Sequence, residues 1–177
     1  GKLICIDRDQ DAIDACTKRL EIFKDKVIIR KSNFSDFDNV LKELDIDKVD
    51  GALLDLGVSS YQIDTKERGF SFMQDGRLDM RMDQSAYLDA YKVVNTFSQK
   101  ELTEIFFKYG EENNSKKIAA EIVKRRELKP VETTAELSQI IKDCAYKKDI
   151  HKNPSTRVFQ ALRIYVNNEL SEVESIE

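Results

Sequence analysis

The sequence predicts an α/β fold, in which a parallel sheet covered by helices is followed by a run of further helices, and three observations predict it. Short apolar runs alternate with amphipathic stretches through the first 56 residues, as in strands connected by helices. The composition suits a globular domain, since 41% of the 177 residues are hydrophobic and only 6 are Gly and 2 are Pro. Beyond residue 57 a polar and aromatic loop is followed by helical patterns alone.

The amino-terminal part is predicted to form three strands and two helices. Apolar runs at 3–6, 27–29 and 49–56 predict the strands, and continuous apolar runs suit a parallel sheet that is covered on both faces. Apolar residues at helical spacing predict the helices between them, with faces formed by Ile13, Cys16, Leu20 and Phe23 and by Val40, Leu41 and Leu44.

The carboxy-terminal part is predicted to be helical. Two capping-box sequences, at 98–101 and 133–136, each open an amphipathic stretch. A further helix around 118–123 is expected to end before Pro130, because proline cannot continue a helix. A last helix is expected to begin near Ser155.

Charge and cysteine content narrow the function classes. The 29 Lys and Arg and 33 Asp and Glu give a net charge of −4, so the whole chain is not a basic nucleic-acid binder, although residues 65–163 are net basic. The net-basic stretch could supply phosphate contacts or could simply be a solvated helix surface.

Three Cys in no close pair argue against disulfides or a zinc knuckle and favour a reducing, cytoplasmic setting. No apolar run approaches the ~18 residues of a membrane span, so no membrane association is expected.

Two aspartates stand at predicted strand ends. Asp7 ends the first strand, where a carboxylate could accept hydrogen bonds from the ribose hydroxyls of a nucleotide-like cofactor. Asp55 lies near the end of the third strand, beside a sharp turn at Gly57. Both have plainer interpretations, since Asp7 could favour a helix N-terminus and Asp55 could cap a turn.

The loop from 64 to 83 interleaves Arg, aromatic and acidic residues. Arg68 and Arg81 could contact a nucleotide or could pair with acids inside the loop. For the apolar loop residues, packing against the core is the favoured interpretation: Phe70, Phe72, Met80 and Met82.

A possible phosphate site lies at the start of the last helix. The segment 153–157 resembles a helix entrance, at which free N–H groups and Arg157 could hold a phosphate, although capping alone explains it equally well. His151 is the only histidine, so no multi-histidine metal site is predicted and no metal is expected.

Several long motifs occur in a characteristic order, and together they resemble the RsmH (MraW) family of methyltransferases. They are LDLGVSSYQID at 54–64, ERGFSF at 67–72, LDMRMD at 78–83, YGEE at 109–112 and PSTRVFQALRI at 154–164. The resemblance spans nearly the whole chain. It departs at Tyr61, where the family usually has Pro, which affects the stiffness of the loop.

The resemblance implies a Rossmann-like fold and a reaction. Members of the family transfer a methyl group from S-adenosyl-L-methionine to N4 of a cytidine in 16S ribosomal RNA of the small ribosomal subunit. It further implies that residues 1–64 and 156–177 are partial methyltransferase core and that 65–155 is a loop plus a helical insertion domain for RNA recognition. The residues that match the family's cofactor contacts are Asp7, Phe34, Asp55 and Gln62, with Asp55 as the catalytic candidate and Arg68, Arg81 and Arg157 as candidate RNA contacts.

The resemblance also implies an internal fragment, which leaves other functions open. The family's Gly-rich cofactor loop and first strand are expected before Leu3, and its last core strands after the final helix. A catalytically inactive RNA-binding fragment is therefore the alternative function, and a homodimer that covers exposed sheet edges is possible. A phosphate-accepting receiver domain, suggested by Asp55 at a strand end, is disfavoured because no acidic pair lies upstream and the aromatic loop is long.

Overall fold

The structure is a computed structural model of the chain, and it describes residues 1–144 and 153–174. The chain forms a mixed α/β fold, as the sequence predicts, with a small parallel sheet and many helices. Its contacts divide it into two compact units. The sheet unit comprises Gly1–Gly57, Met82–Ser85 and residues 168–174, and the helical unit comprises Val58–Arg81 and residues 86–144 and 153–167.

The helices and strands of the described residues follow one another in this order: β1 (Leu3–Asp7), α1 (Gln10–Arg19), β2 (Val27–Lys31), α2 (Phe37–Glu43), α3 (Ser60–Asp64), α4 (Ala90–Thr96), α5 (Gln99–Gly110), α6 (Ser115–Arg126), α7 (Thr134–Cys144), α8 (Ser155–Val166) and α9 (Glu169–Glu174).

The sheet unit is built on two parallel strands. β1 pairs with β2 in a register that runs from Leu3 opposite Val27 to Asp7 opposite Lys31, so both strands end at the same edge. The connection is α1, which the sequence predicts from its apolar spacing. At its start, the Asp9 carboxylate accepts a hydrogen bond from the backbone N–H of Asp11, 3.0 Å away.

The predicted third strand, at 49–56, is wrong. Within the described residues this segment pairs with neither β1 nor β2, and the sheet has two strands. Its side chains are exposed, and Leu53 is 96% exposed. An apolar run indicates that a segment can be buried as a strand, but a strand forms only where a neighbour satisfies its N–H and C=O groups, and no such neighbour among the described residues pairs with 49–56.

The helical unit has its own apolar core. It is centred on the packing of α5 against α8 and α6. The side chains that the core buries most completely include Leu78, Met80, Val93, Leu102, Phe106, Ile122, Leu137, Ile141 and Leu162. The crossing of α5 and α8 depends on Gly110, because a Cβ there would lie 2.4 Å from the carbonyl oxygen of Arg157. Two of the motifs, YGEE and PSTRVFQALRI, therefore pack directly against each other.

Both predicted capping boxes are confirmed. Ser98 and Glu101 exchange reciprocal hydrogen bonds at the start of α5. At α7, the Glu136 carboxylate accepts from the N–H of Thr133, and the Thr133 hydroxyl accepts from the N–H of Glu136, each at 3.2 Å. The helix predicted around 118–123 is α6, which ends at Arg126, before Pro130. These features depend on neighbours in sequence, which is why they are readable from it.

The division into units differs from the boundaries expected from the resemblance. α8 belongs to the helical unit, and the short segment Met82–Ser85 belongs to the sheet unit. Assignment of 65–155 to RNA recognition stays a prediction. Among the helices in the described ranges, none is long and apolar enough to cross a membrane.

Candidate functional site

The candidate cofactor site is the edge of the sheet where β1 and β2 end. Asp7 is the last residue of β1, and its side chain is half-buried. Its Oδ1 accepts a hydrogen bond from the backbone N–H of Asp9 at 2.8 Å, and its backbone oxygen accepts from Ser32 at 3.0 Å. The residue that caps the N-terminus of α1 is Asp9, not Asp7. The Asp7 carboxylate thus keeps acceptor capacity for a ligand at this edge.

Phe34 lies at the same edge. It opens a short 3-10 turn, Phe34–Asp36, three residues after the end of β2, and its ring is half-buried. Because β1 and β2 are parallel, Asp7 and Phe34 both follow carboxyl ends of strands. Ligands of open α/β sheets bind at such ends. The structure therefore brings these two predicted residues to one edge.

The other two predicted cofactor contacts lie elsewhere in the chain. Asp55 is exposed in the segment that pairs with no strand, and it forms no hydrogen bond or ion pair with any residue in the described ranges. Gln62 belongs to the helical unit, on α3, and is 5% exposed. Its Oε1 accepts from the N–H of Ser59 at 3.0 Å, so part of the Gln62 amide closes a capping box. A shared pocket for all four residues stays a prediction.

The predicted loop is ordered by packing and by its own hydrogen bonds. Met80 is fully buried and Met82 is 5% exposed. The rings of Phe72 and Phe159 pack edge to face, with their centroids 5.2 Å apart. Phe70 also packs against the core, so the packing interpretation is confirmed for Phe70, Phe72 and Met80. Met82 is buried as well, but it belongs to the sheet unit. The apolar residues of the loop motifs therefore serve mainly to hold the loop against the core.

A glycine permits the tightest turn of this loop. Gly69 has a φ of +70°, and a Cβ there would lie 2.2 Å from the carbonyl oxygen of Arg77. The loop is also fastened to α7, because the Thr134 hydroxyl donates to the Gln74 oxygen and accepts from the N–H of Gly76. Thr134 is fully buried, and no local sequence pattern indicates this role because its partners lie about 60 residues away.

The two loop arginines make internal contacts. Arg68 is 2% exposed and donates to the backbone oxygen of Arg81 at 3.0 Å. Arg81 binds both oxygens of Asp79 at 2.8 Å and donates to the Ala86 oxygen at 2.8 Å. Burial alone would raise the pKa of Asp79, but the hydrogen bonds from Arg81 outweigh it and hold that pKa below its ordinary value. Contact of either arginine with RNA stays a prediction.

Replacing Asp79 with asparagine tests this bidentate pair. We expect Asp79→Asn to lower the free energy of unfolding by about 1–3 kcal/mol at neutral pH, because the half-buried guanidinium of Arg81 loses its charged partner. The folded-state pKa is the lower one, so the difference is full above the ordinary Asp pKa of about 4 and disappears as pH falls through the folded-state value. Urea denaturation of both proteins from neutral pH downward measures it. Asp64→Asn, at an exposed site, is the matched control, and a difference independent of pH would contradict the assignment.

The positive charge of α6 and of the segment that follows it is partly neutralised by neighbouring acidic side chains. Arg125 pairs with Glu121 and Asp143, each at 2.7 Å, and Lys129 pairs with Glu136 at 2.7 Å. In the described part of the chain, the exposed cations between residues 65 and 163 that form no ion pair are Lys108, Lys116, Lys124, Lys142 and Arg157. His151 and the lysines at 147, 148 and 152 lie outside the described residues.

The fold and the sheet edge define the class: an α/β protein that presents an acidic residue at a strand end, where nucleotide-like ligands bind. The chain belongs to the MraW methylase family, which it matches over residues 1–176. This confirms the resemblance found in its motifs.

Curated relatives agree with the family. The chain is 49% identical to "Ribosomal RNA small subunit methyltransferase H" of Finegoldia magna, over 98% of this chain and 57% of that protein. It is 50% identical to the proteins of the same name from Lachnospira eligens, over 99% and 56%, and Caldicellulosiruptor saccharolyticus, over 98% and 56%. The chain therefore spans a little over half the length of these relatives.

Proposed function

We propose that the chain is part of an enzyme that transfers a methyl group from S-adenosyl-L-methionine to N4 of a cytidine in 16S ribosomal RNA. The observation that carries the proposal is the Asp7 carboxylate, half-buried at the shared end of two parallel strands and bonded, within the described ranges, to the N–H of Asp9 alone. The family and the names of its relatives, ribosomal RNA small subunit methyltransferases, support it.

The residues of the sheet edge fit this cofactor. The Asp7 carboxylate has lone pairs left to accept hydrogen bonds from ribose hydroxyls, and the Phe34 ring offers an apolar face for a purine. Asp55 and Gln62 are the further proposed contacts. When bound, the cofactor would supply an electrophilic methyl group.

The chain's main task in such a reaction would be positioning. The amine of cytosine is a weak nucleophile, because its lone pair is delocalised into the ring. Holding it in line at about 3–3.5 Å from the carbon that it attacks would supply on the order of 7 kcal/mol of barrier reduction. We propose Asp55 as the acceptor that orients the amine and takes the proton released on methylation.

A cytidine cannot reach a buried reaction centre while it is stacked in a duplex, so it must be flipped out. We propose the loop at 64–83 as a wall of its pocket and Arg157 as an RNA contact, with Arg68 and Arg81 as further candidates. Of the three, Arg157 has the geometry that favours direct contact, because its side chain is exposed at the start of α8. The buried Arg68 and the bidentately paired Arg81 would act mainly by shaping the loop.

Removing the Arg157 charge should weaken RNA binding at every salt concentration. The Arg157→Ala variant would neutralise one phosphate fewer. The negative slope of log affinity against log salt should therefore become shallower by about 0.7 to 0.9. Filter binding of small-subunit RNA over a salt series measures it. Lys100→Ala on α5, an exposed residue 3.9 Å from Glu104, is the control. An unchanged slope for Arg157→Ala would count against the proposed phosphate contact.

A small-ribosomal-subunit substrate would place the protein in the cytoplasm. A homodimer that covers exposed sheet edges is part of the same proposal, and light scattering of the complete gene product would detect it.

Methyl transfer itself is the test. The complete gene product, incubated with labelled S-adenosyl-L-methionine and unmodified small ribosomal subunits, should yield N4-methylcytidine on nuclease digestion and mass spectrometry. The alternative is a catalytically inactive RNA-binding module. RNA binding in a gel shift without cofactor binding or transfer would favour that alternative and refute the proposal.

A further inference from the structure

An ion pair ties a distant loop segment to the end of β2. Lys31 Nζ lies 3.0 Å from Asp83 Oδ1, although the two residues are 52 positions apart, and both belong to the sheet unit. The same Asp83 oxygen accepts hydrogen bonds from the backbone N–H and the hydroxyl of Ser85, at 3.0 and 2.7 Å. Three donors therefore fix the Asp83 carboxylate beside the lysine.

Lys31 is also the register partner of Asp7. The two residues face each other across the pair of parallel strands. Neighbouring strands are about 4.8 Å apart, and partners in register project their side chains from the same face, so the ammonium of Lys31 is within reach of the Asp7 carboxylate. In the structure it is bonded to Asp83 instead, while the Asp7 carboxylate is bonded to the N–H of Asp9.

We propose that Asp83 is a positioning residue for cofactor binding, which holds Lys31 away from Asp7 and so keeps that carboxylate available for the ribose hydroxyls. The inference rests on the proposed function, because it assigns Asp7 to the ribose. Without Asp83, Lys31 would pair with Asp7, and the cofactor would bind only after that ion pair had broken.

The charge state of Asp83 suits this role. Burial alone would raise the pKa of Asp83, but hydrogen bonds from Ser85 and Lys31 outweigh it and hold that pKa below its ordinary value. Asp83 is therefore ionised, and competes for Lys31, throughout the neutral range. Both side chains are about one-third exposed, so the competition is between two modest ion pairs.

The test is calorimetric titration of S-adenosyl-L-methionine into the complete gene product and three variants. Asp83→Asn should weaken binding about threefold, the effect of a modest ion pair, and the loss should shrink as salt rises. Removing Lys31 as well, in Lys31→Met with Asp83→Asn, should restore the affinity. Lys31→Met alone should leave it within about twofold of wild type. If the double variant binds as weakly as Asp83→Asn, or if Asp83→Asn binds normally, the inference is overturned.

Two controls separate this effect from a general change in charge. Glu104→Gln makes the same charge change at an exposed pair and should have no effect. Since S-adenosyl-L-methionine is itself charged, the titrations are repeated with 5′-methylthioadenosine, an uncharged nucleoside with the same ribose. A loss in Asp83→Asn that occurs only with the charged ligand would be a general field effect and would overturn the inference.

The outcomes also separate the inference from the proposed function. Absence of cofactor binding by the wild-type protein would refute both. Tight binding by the wild type, lost in Asp7→Asn but unaffected by Asp83→Asn, would support the ribose assignment and refute the role of Asp83. If Asp83→Asn fails to fold, as judged by circular dichroism, the affinity of Lys31→Met for the cofactor distinguishes the two interpretations. A purely structural ion pair predicts that Lys31→Met also loses affinity, whereas the positioning role predicts that it binds within about twofold of wild type.

Discussion

Replacing Phe106 with alanine is expected to lower the free energy of unfolding by about 3–5 kcal/mol, the range for aromatic truncation in a core. Phe106 is fully buried on α5, which packs against both α6 and α8 at the centre of the helical unit. Truncation would leave a cavity at this junction, and the helices around it cannot close the space without disturbing their packing elsewhere. Urea denaturation of the chain, followed by circular dichroism, measures the change.

The next residue supplies the control for this prediction. Phe107 is also aromatic and on the same helix, but its side chain is 62% exposed. Phe107→Ala should therefore change stability by no more than about 0.5 kcal/mol. Equal destabilisation by the two variants would contradict the described orientation of α5.

Replacing Asp55 with asparagine is expected to reduce methyl transfer by the complete gene product about 10²- to 10⁴-fold. Asparagine keeps the size of the side chain but removes the charge that would orient the amine and accept its proton. Single-turnover rates with unmodified small ribosomal subunits measure the effect on the chemical step, and a cofactor titration reports binding separately.

Asp50→Asn is the matched control, because it removes one charge from an exposed position five residues upstream. It should transfer methyl groups at nearly the wild-type rate. If Asp55→Asn retained normal turnover and normal cofactor affinity, the assignment of Asp55 would fail.

Local signals account for the parts of the fold that the sequence predicts well. The capping boxes at 98–101 and 133–136, and the helices that they open, depend on residues three or four positions apart. The pairing of β1 with β2 follows from two short apolar runs separated by a helix. The prediction of a strand at 49–56 is wrong because a strand forms only beside a pairing partner, and an apolar run does not show whether such a partner is present.

Contacts over long sequence distances account for what was missed at the site. Asp7 was predicted because it directly follows an apolar run. The pairing of Lys31 with Asp83 has no sequence signal, since each is an ordinary charged residue in its own segment and only the fold brings them together. Similarly, the sequence does not tell whether Arg81 pairs with an acid in its own loop, and the structure shows that it pairs with Asp79.

Binding of S-adenosyl-L-methionine by Asp7→Asn tests the central claim most directly. A charged acceptor for the ribose predicts a loss of affinity of about tenfold or more in the complete gene product, because hydrogen bonds to charged groups contribute about 1.5–3 kcal/mol. Asp14→Asn, which makes the same charge change on the exposed face of α1, should bind within about twofold of wild type. Equal affinities for wild type and Asp7→Asn would contradict the cofactor site at the end of β1.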